Sequence, residues 1–84
     1  VIVWKPSIPR WKQLHEILAE RIETGEYPPG ERMPSITALM NEFGLAVATT
    51  QKAVAKLRED GLIYTEPGLG SFVAEQGRES PDPS

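Results

Sequence analysis

The stretch FGLAVATTQKAVAKLREDGLIYTEPGLGSFV, residues 43–73, decides how this chain folds. Gly44 and Leu45 sit as a tight turn between a short apolar-striped segment and a longer one stopped by Gly61. The longer segment starts near Ala46 or Val47 and runs to Asp60. It spaces Val47, Thr50, Val54 and Leu57 as the inward face of a helix, with Ala53 allowing close approach. Thr50 is then structural, while Thr49, Gln51, Lys52, Ala55 and Lys56 point outward or sideways. Residues 62–66 and 70–74 follow at once as two β-prone runs. Pro67, Gly68, Leu69 and Gly70 between them predict a hairpin.

Upstream, residues 10–24 place Trp11, Leu14, Ile17, Leu18 and Ile22 three or four apart, one apolar face of an amphipathic helix. Pro9 suits its start and Gly25 its end, since glycine tolerates the left-handed cap. His15 falls beside that face, as a partly exposed structural histidine. Residues 26–34 are a loop stiffened by Pro28, Pro29 and Pro34 and turned at Gly30. Ser35 is placed to cap a second helix whose stripe is Ile36, Leu39, Met40 and Phe43, ended by Gly44. The chain thus divides into an arm at 1–8, a domain at 9–75 and a disordered tail or linker at 76–84. Trp4, in the arm, is expected to pack over an edge of the core.

The 84 residues suffice for one small domain with a modest core. With no cysteine and a single histidine, neither a disulfide framework nor a thiolate or histidine-rich metal site is expected. No nucleophile–base pair or phosphate-loop spacing is present, so the expectation is a binding module without cofactor, not an enzyme. No apolar run has the length of a membrane span, and the start lacks the plan of a signal peptide, which makes the cytoplasm the default location. The net charge is −3. It is segregated: residues 9–31 carry a net −2, whereas residues 46–60, with Lys52, Lys56 and Arg58 against Glu59 and Asp60, carry a net +1. Local sign matters more than the total where a surface meets phosphate.

The order helix, helix, glycine turn, helix, hairpin is a winged helix-turn-helix, an α+β fold of three helices followed by a two-stranded wing. Its landmarks resemble the GntR (gluconate-repressor) family over roughly residues 9–75. They are Pro9 to Leu14, Ile22 to Gly30, Met33 to Ser35, Phe43 to Leu45, Leu57 to Ile63 and Pro67 to Val73, in the family's order and spacing. The resemblance implies a DNA-binding transcriptional regulator, most often a repressor. The third helix, about 47–60, would be the recognition helix in the major groove, and the wing tip at 67–70 would lie near the minor groove. It also implies double-stranded DNA with a palindromic operator as partner, a homodimer in the full protein, no membrane, and a small-molecule effector where a C-terminal domain exists.

Several positions depart from the family pattern. Ala46 replaces the serine at the start of the recognition helix, removing a cap oxygen and a phosphate contact. Val47 and Gln51 replace arginines, Ile36 and Thr37 stand for glutamate and arginine, and Leu69 holds a wing position that is often arginine. Two readings stay open. In one, DNA is met by Ser35, Thr37, Ala46, Ala48, Thr49, Gln51, Lys52, Lys56, Gly68 and Leu69. Gln51 would pair with adenine and the Thr49 methyl with thymine. In the other, Val47, Ala48 and Leu69 form an apolar patch for another protein.

Overall fold

The computed structural model describes residues 3–75, and the tail expected at 76–84 lies outside them. Helix α1 is Arg10–Thr24, α2 is Ile36–Phe43, α3 is Val47–Glu59, β1 is Ile63–Glu66 and β2 is Gly70–Val73. The helices end where glycine supplies a positive φ: Gly25 at 88° after α1 and Gly44 at 68° after α2. After α3 the turn is carried by Asp60 and then Gly61, whose φ of 81° sends the chain into the wing. An L side chain at these φ values would be strained.

Leu14, Leu18 and Ile22 of α1 are fully buried against Ala53, Val54 and Leu57 of α3, with Leu39 and Phe43 of α2 and Ile63 and Val73 of the wing completing the core. Each buried aliphatic side chain contributes roughly 1.5–3 kcal/mol, which lets a short chain hold one core. Thr50 is completely buried and satisfies its hydroxyl by donating to the Ala46 carbonyl at 3.0 Å. Val47 differs from expectation. It is 47% exposed, not inward. Leu45, in the turn, is buried, and the inward face of α3 begins at Thr50.

Polar contacts lock the helices together. The Arg21 guanidinium donates to Glu42 at 2.8 Å and to the Tyr27 hydroxyl at 2.8 Å, tying α1 to α2, and Glu42 holds its pKa above even the usual arginine range. His15 and Asp60 meet at 2.8 Å between α1 and the end of α3, which gives the histidine its structural role. Residues 3–8 are held on α1, with the Lys5 amide donating to Gln13 Oε1 and Gln13 Nε2 returning to the Lys5 and Ile8 carbonyls. Trp4 meets Phe43 edge-on, with ring centroids 6.4 Å apart, at the edge of the core.

The wing is an antiparallel pair in the register Ile63–Val73, Tyr64–Phe72, Thr65–Ser71 and Glu66–Gly70. Gly70 therefore belongs to β2, so the turn proper is Pro67 to Leu69, closed by the Leu69 amide donating to the Glu66 carbonyl. The segment expected as loop alone also adds a third strip to this sheet. Arg32 bridges Phe72, Met33 N–H donates to the Ser71 carbonyl at 2.8 Å, and Val73 N–H to the Glu31 carbonyl at 2.9 Å. The strip is too short and too rich in flanking proline to show as a strand in the sequence.

Candidate nucleic-acid interface

Helix α3 enters solvent by its N-terminus. Ala46 has the extended cap conformation, φ −68° and ψ 159°, but offers no side-chain acceptor, so the first-turn amides keep their free donors. Those donors carry the positive end of the helix dipole, a setting that favours phosphate. Ala48 and Gln51 are exposed, and Thr49 is half-buried. The Lys52 ammonium sits 4.9 Å above the Trp11 ring, where the aromatic face steadies a cation without neutralising it. Lys56 is differently placed: it pairs with Glu59 at 3.3 Å and Asp60 at 3.5 Å. The Glu59 hydrogen bond and then the charge of Asp60 raise its pKa.

The start of α2 is a second group. Ser35 caps it as expected, its Oγ accepting from the Ala38 amide at 3.0 Å, and Thr37, two residues on, is exposed. The third group is the hairpin tip. Gly68 is exposed with φ of 80°, and Leu69 is 59% exposed. Lys52 and Lys56 share a shallow groove with Trp11 on the α1 side of α3. Ser35 lies instead with the start of β2, in a groove of about 420 Å³ that includes Gly70 and Ser71.

That second groove contains two residues outside the expected set, Arg32 and Arg58. Arg58 donates through Nε to Thr65 Oγ1 at 2.8 Å, and Thr65 lies 3.3 Å from Ser71 Oγ. Arg58 is legible in the sequence as part of the local positive charge. Arg32 carries no local signal, because only the pairing of its strip with β2 brings it to the wing.

The profile of the bacterial regulatory proteins of the gntR family matches residues 11–73, which span nearly the whole described fold. The chain belongs to the GntR family. This GntR domain is 40% identical over 74 residues to the HTH-type transcriptional regulator YjiR of Escherichia coli K12, covering 88% of the chain and 16% of that protein. It is 36% identical over 67 residues to the histidine utilization repressor of Pseudomonas putida, covering 80% of the chain and 27% of that protein. The chain thus spans only a small part of the length of these relatives. Among solved structures, it superposes with a TM-score of 0.76 and 31% identity on the DNA-binding domain of AraR in complex with operator ORR3, covering 88% of this chain and 89% of that one. The three helices and hairpin are accordingly the winged-helix fold of GntR DNA-binding domains.

Proposed function

We propose that this chain is the DNA-reading domain of a bacterial transcriptional regulator, acting in the cytoplasm as a repressor. The observation that carries the reading is the free, exposed N-terminus of α3, with Ala48 and Gln51 on its outer face, on a fold that also carries an exposed glycine wing tip. In this arrangement α3 enters the major groove and the hairpin tip approaches the adjacent minor groove. Gln51 reads adenine through a bidentate pair, and the Thr49 methyl meets a thymine methyl. Ala46 and Ala48, lacking bulk, let the helix backbone come close to the strand. Ser35, Thr37 and Lys52 meet phosphate, while Lys56, already held by Glu59 and Asp60, contributes less. Gly68 and Leu69 face the minor-groove wall.

One domain of this size buries little on a half-site. Tight binding therefore calls for a homodimer on a palindromic operator, with dimerisation and any effector site supplied by a further domain. The relatives' greater length supports that arrangement. The exposure of Val47 and Leu69 favours one other reading, an apolar patch for a protein partner. An NMR titration of labelled protein with random duplex DNA separates the two. Shifts at residues 35–37, 46–56 and 67–71 that fade as salt rises support DNA reading. Absence of shifts even at low salt overturns it and leaves the protein-binding reading.

A further inference from the structure

The start of α3 is poor in charge for a helix that meets a polyanion, since Ala46, Val47, Ala48 and Gln51 carry none. Among the described residues, Arg21 and Lys56 are spent on carboxylates. Arg32 and Arg58 enter no ion pair there, and they line the same groove between the start of α2 and the start of β2. Glu31 and Glu66 are near them in the chain or the sheet, yet neither pairs with either guanidinium.

Arg58 is held by its side chain in advance of any ligand, and Arg32 by its backbone. The Arg32 backbone is bridged to Phe72 and flanked by the Met33 and Val73 hydrogen bonds to and from the sheet. Its guanidinium lies against Gly70, whose φ is +115°; a Cβ at that position would fall 2.9 Å from Nε and 3.1 Å from Nη2. Glycine at position 70 therefore does more than turn the hairpin: it makes room for the Arg32 fork. Arg58 is fixed through Nε to Thr65, which leaves its Nη groups as the remaining donors of the fork. The groove also contains Ser71 and the first turn of α2, where helix geometry leaves the amides of Ile36 and Thr37 without intrahelical acceptors.

We propose that Arg32 and Arg58 form a seat for one or two backbone phosphates of duplex DNA, supplying beside the wing the charge that the first turns of α3 lack. The proposal rests on the DNA-reading function above. Planar guanidinium forks matched by backbone and hydroxyl donors suit phosphate oxygens, and a groove open between helix and wing admits a strand edge. Because such contacts see only the backbone, the seat contributes affinity and register without sequence preference.

The test is fluorescence anisotropy of duplex DNA with the full chain and with Arg32→Gln, Arg58→Gln and the double variant, across a salt series. Each neutralised phosphate contact contributes about 0.9 to the slope of log affinity against log salt. The slope is expected to fall in each single variant, and in the double by about 0.9 where the two forks share one phosphate or about 1.8 where each holds its own, equally for all duplex sequences. Unchanged melting temperatures in the two glutamine variants show that the fold is intact; a variant that melts early is replaced by Arg→Met at the same site, which keeps an apolar stem for packing and removes the charge. If the parent chain binds duplex with a salt slope that the variants leave unaltered, the seat is wrong and the DNA-reading function stands. If the parent chain binds no duplex at any salt, both fall. Titration with inorganic phosphate alone supplies the last arm: saturable binding lost in the double variant, without duplex binding, makes a free anion the occupant and overturns the proposal.

Discussion

The two caps of the helix-turn-helix differ in one atom group, and that difference sets a measurable energy. Ser35 and Ala46 have nearly the same backbone, φ −68° and ψ 164° against φ −68° and ψ 159°. Ser35 accepts from the amide three residues on, at 3.0 Å. Ala46 leaves the equivalent amide, that of Thr49, without a side-chain acceptor. In Ala46→Ser the new hydroxyl has the same dihedrals and an exposed position, so it meets neither strain nor crowding. The Thr50 hydroxyl bond to the residue 46 carbonyl is untouched, because it uses the backbone. A cap of this kind is worth about 1 kcal/mol. In a domain of this size that raises the melting temperature by roughly 4–8 °C, read by circular dichroism on thermal unfolding. Ser35→Ala, measured alongside, is expected to lower it by a similar amount. The same hydroxyl adds a phosphate contact, so DNA affinity should rise with stability. A destabilising or neutral Ala46→Ser, beside a Ser35→Ala that behaves as expected, would refute the claim that the Thr49 amide is free and aimed at the cap.

Gln51→Ala is expected to weaken binding to a specific site by about 1–3 kcal/mol while leaving random-sequence binding nearly unchanged; equal loss on both would remove Gln51 from base reading. Lys52→Ala should weaken all sequences alike and lower the salt slope by about 1, measured by the same anisotropy titration. Leu57→Ala empties a fully buried position of α3 and should cost about 2–5 kcal/mol in urea unfolding, a large share of a small domain's stability. Asp60 titrates below the usual carboxylate range, chiefly through its hydrogen bond with His15, so it binds protons more weakly folded than unfolded. Its contribution is therefore complete above that range and is lost as pH falls through and below about 4. Asp60→Asn should flatten the fall of melting temperature across that window, and an unchanged pH profile would count against the His15–Asp60 link.

The amino-acid sequence by itself determined the three helices, their ends and the hairpin. Each of these depends on preferences that act within a few residues: apolar spacing along α1 and α3, glycine at 25, 44 and 61, and the Ser35 oxygen one turn before its amide. The missing cap at Ala46 was legible for the same reason. The tertiary structure decided what distant segments do to one another. Leu45 enters the core while Val47 faces solvent, and the inward face of α3 begins only at Thr50. Lys52 and Lys56 share a helix face in the sequence, yet one rests on Trp11 and the other is tied to Glu59 and Asp60. Above all, Arg32 becomes a site residue only because its strip pairs with β2 and Gly70 leaves room for its fork. Ladder pairing and close packing join residues far apart in the chain, so no local periodicity announces them.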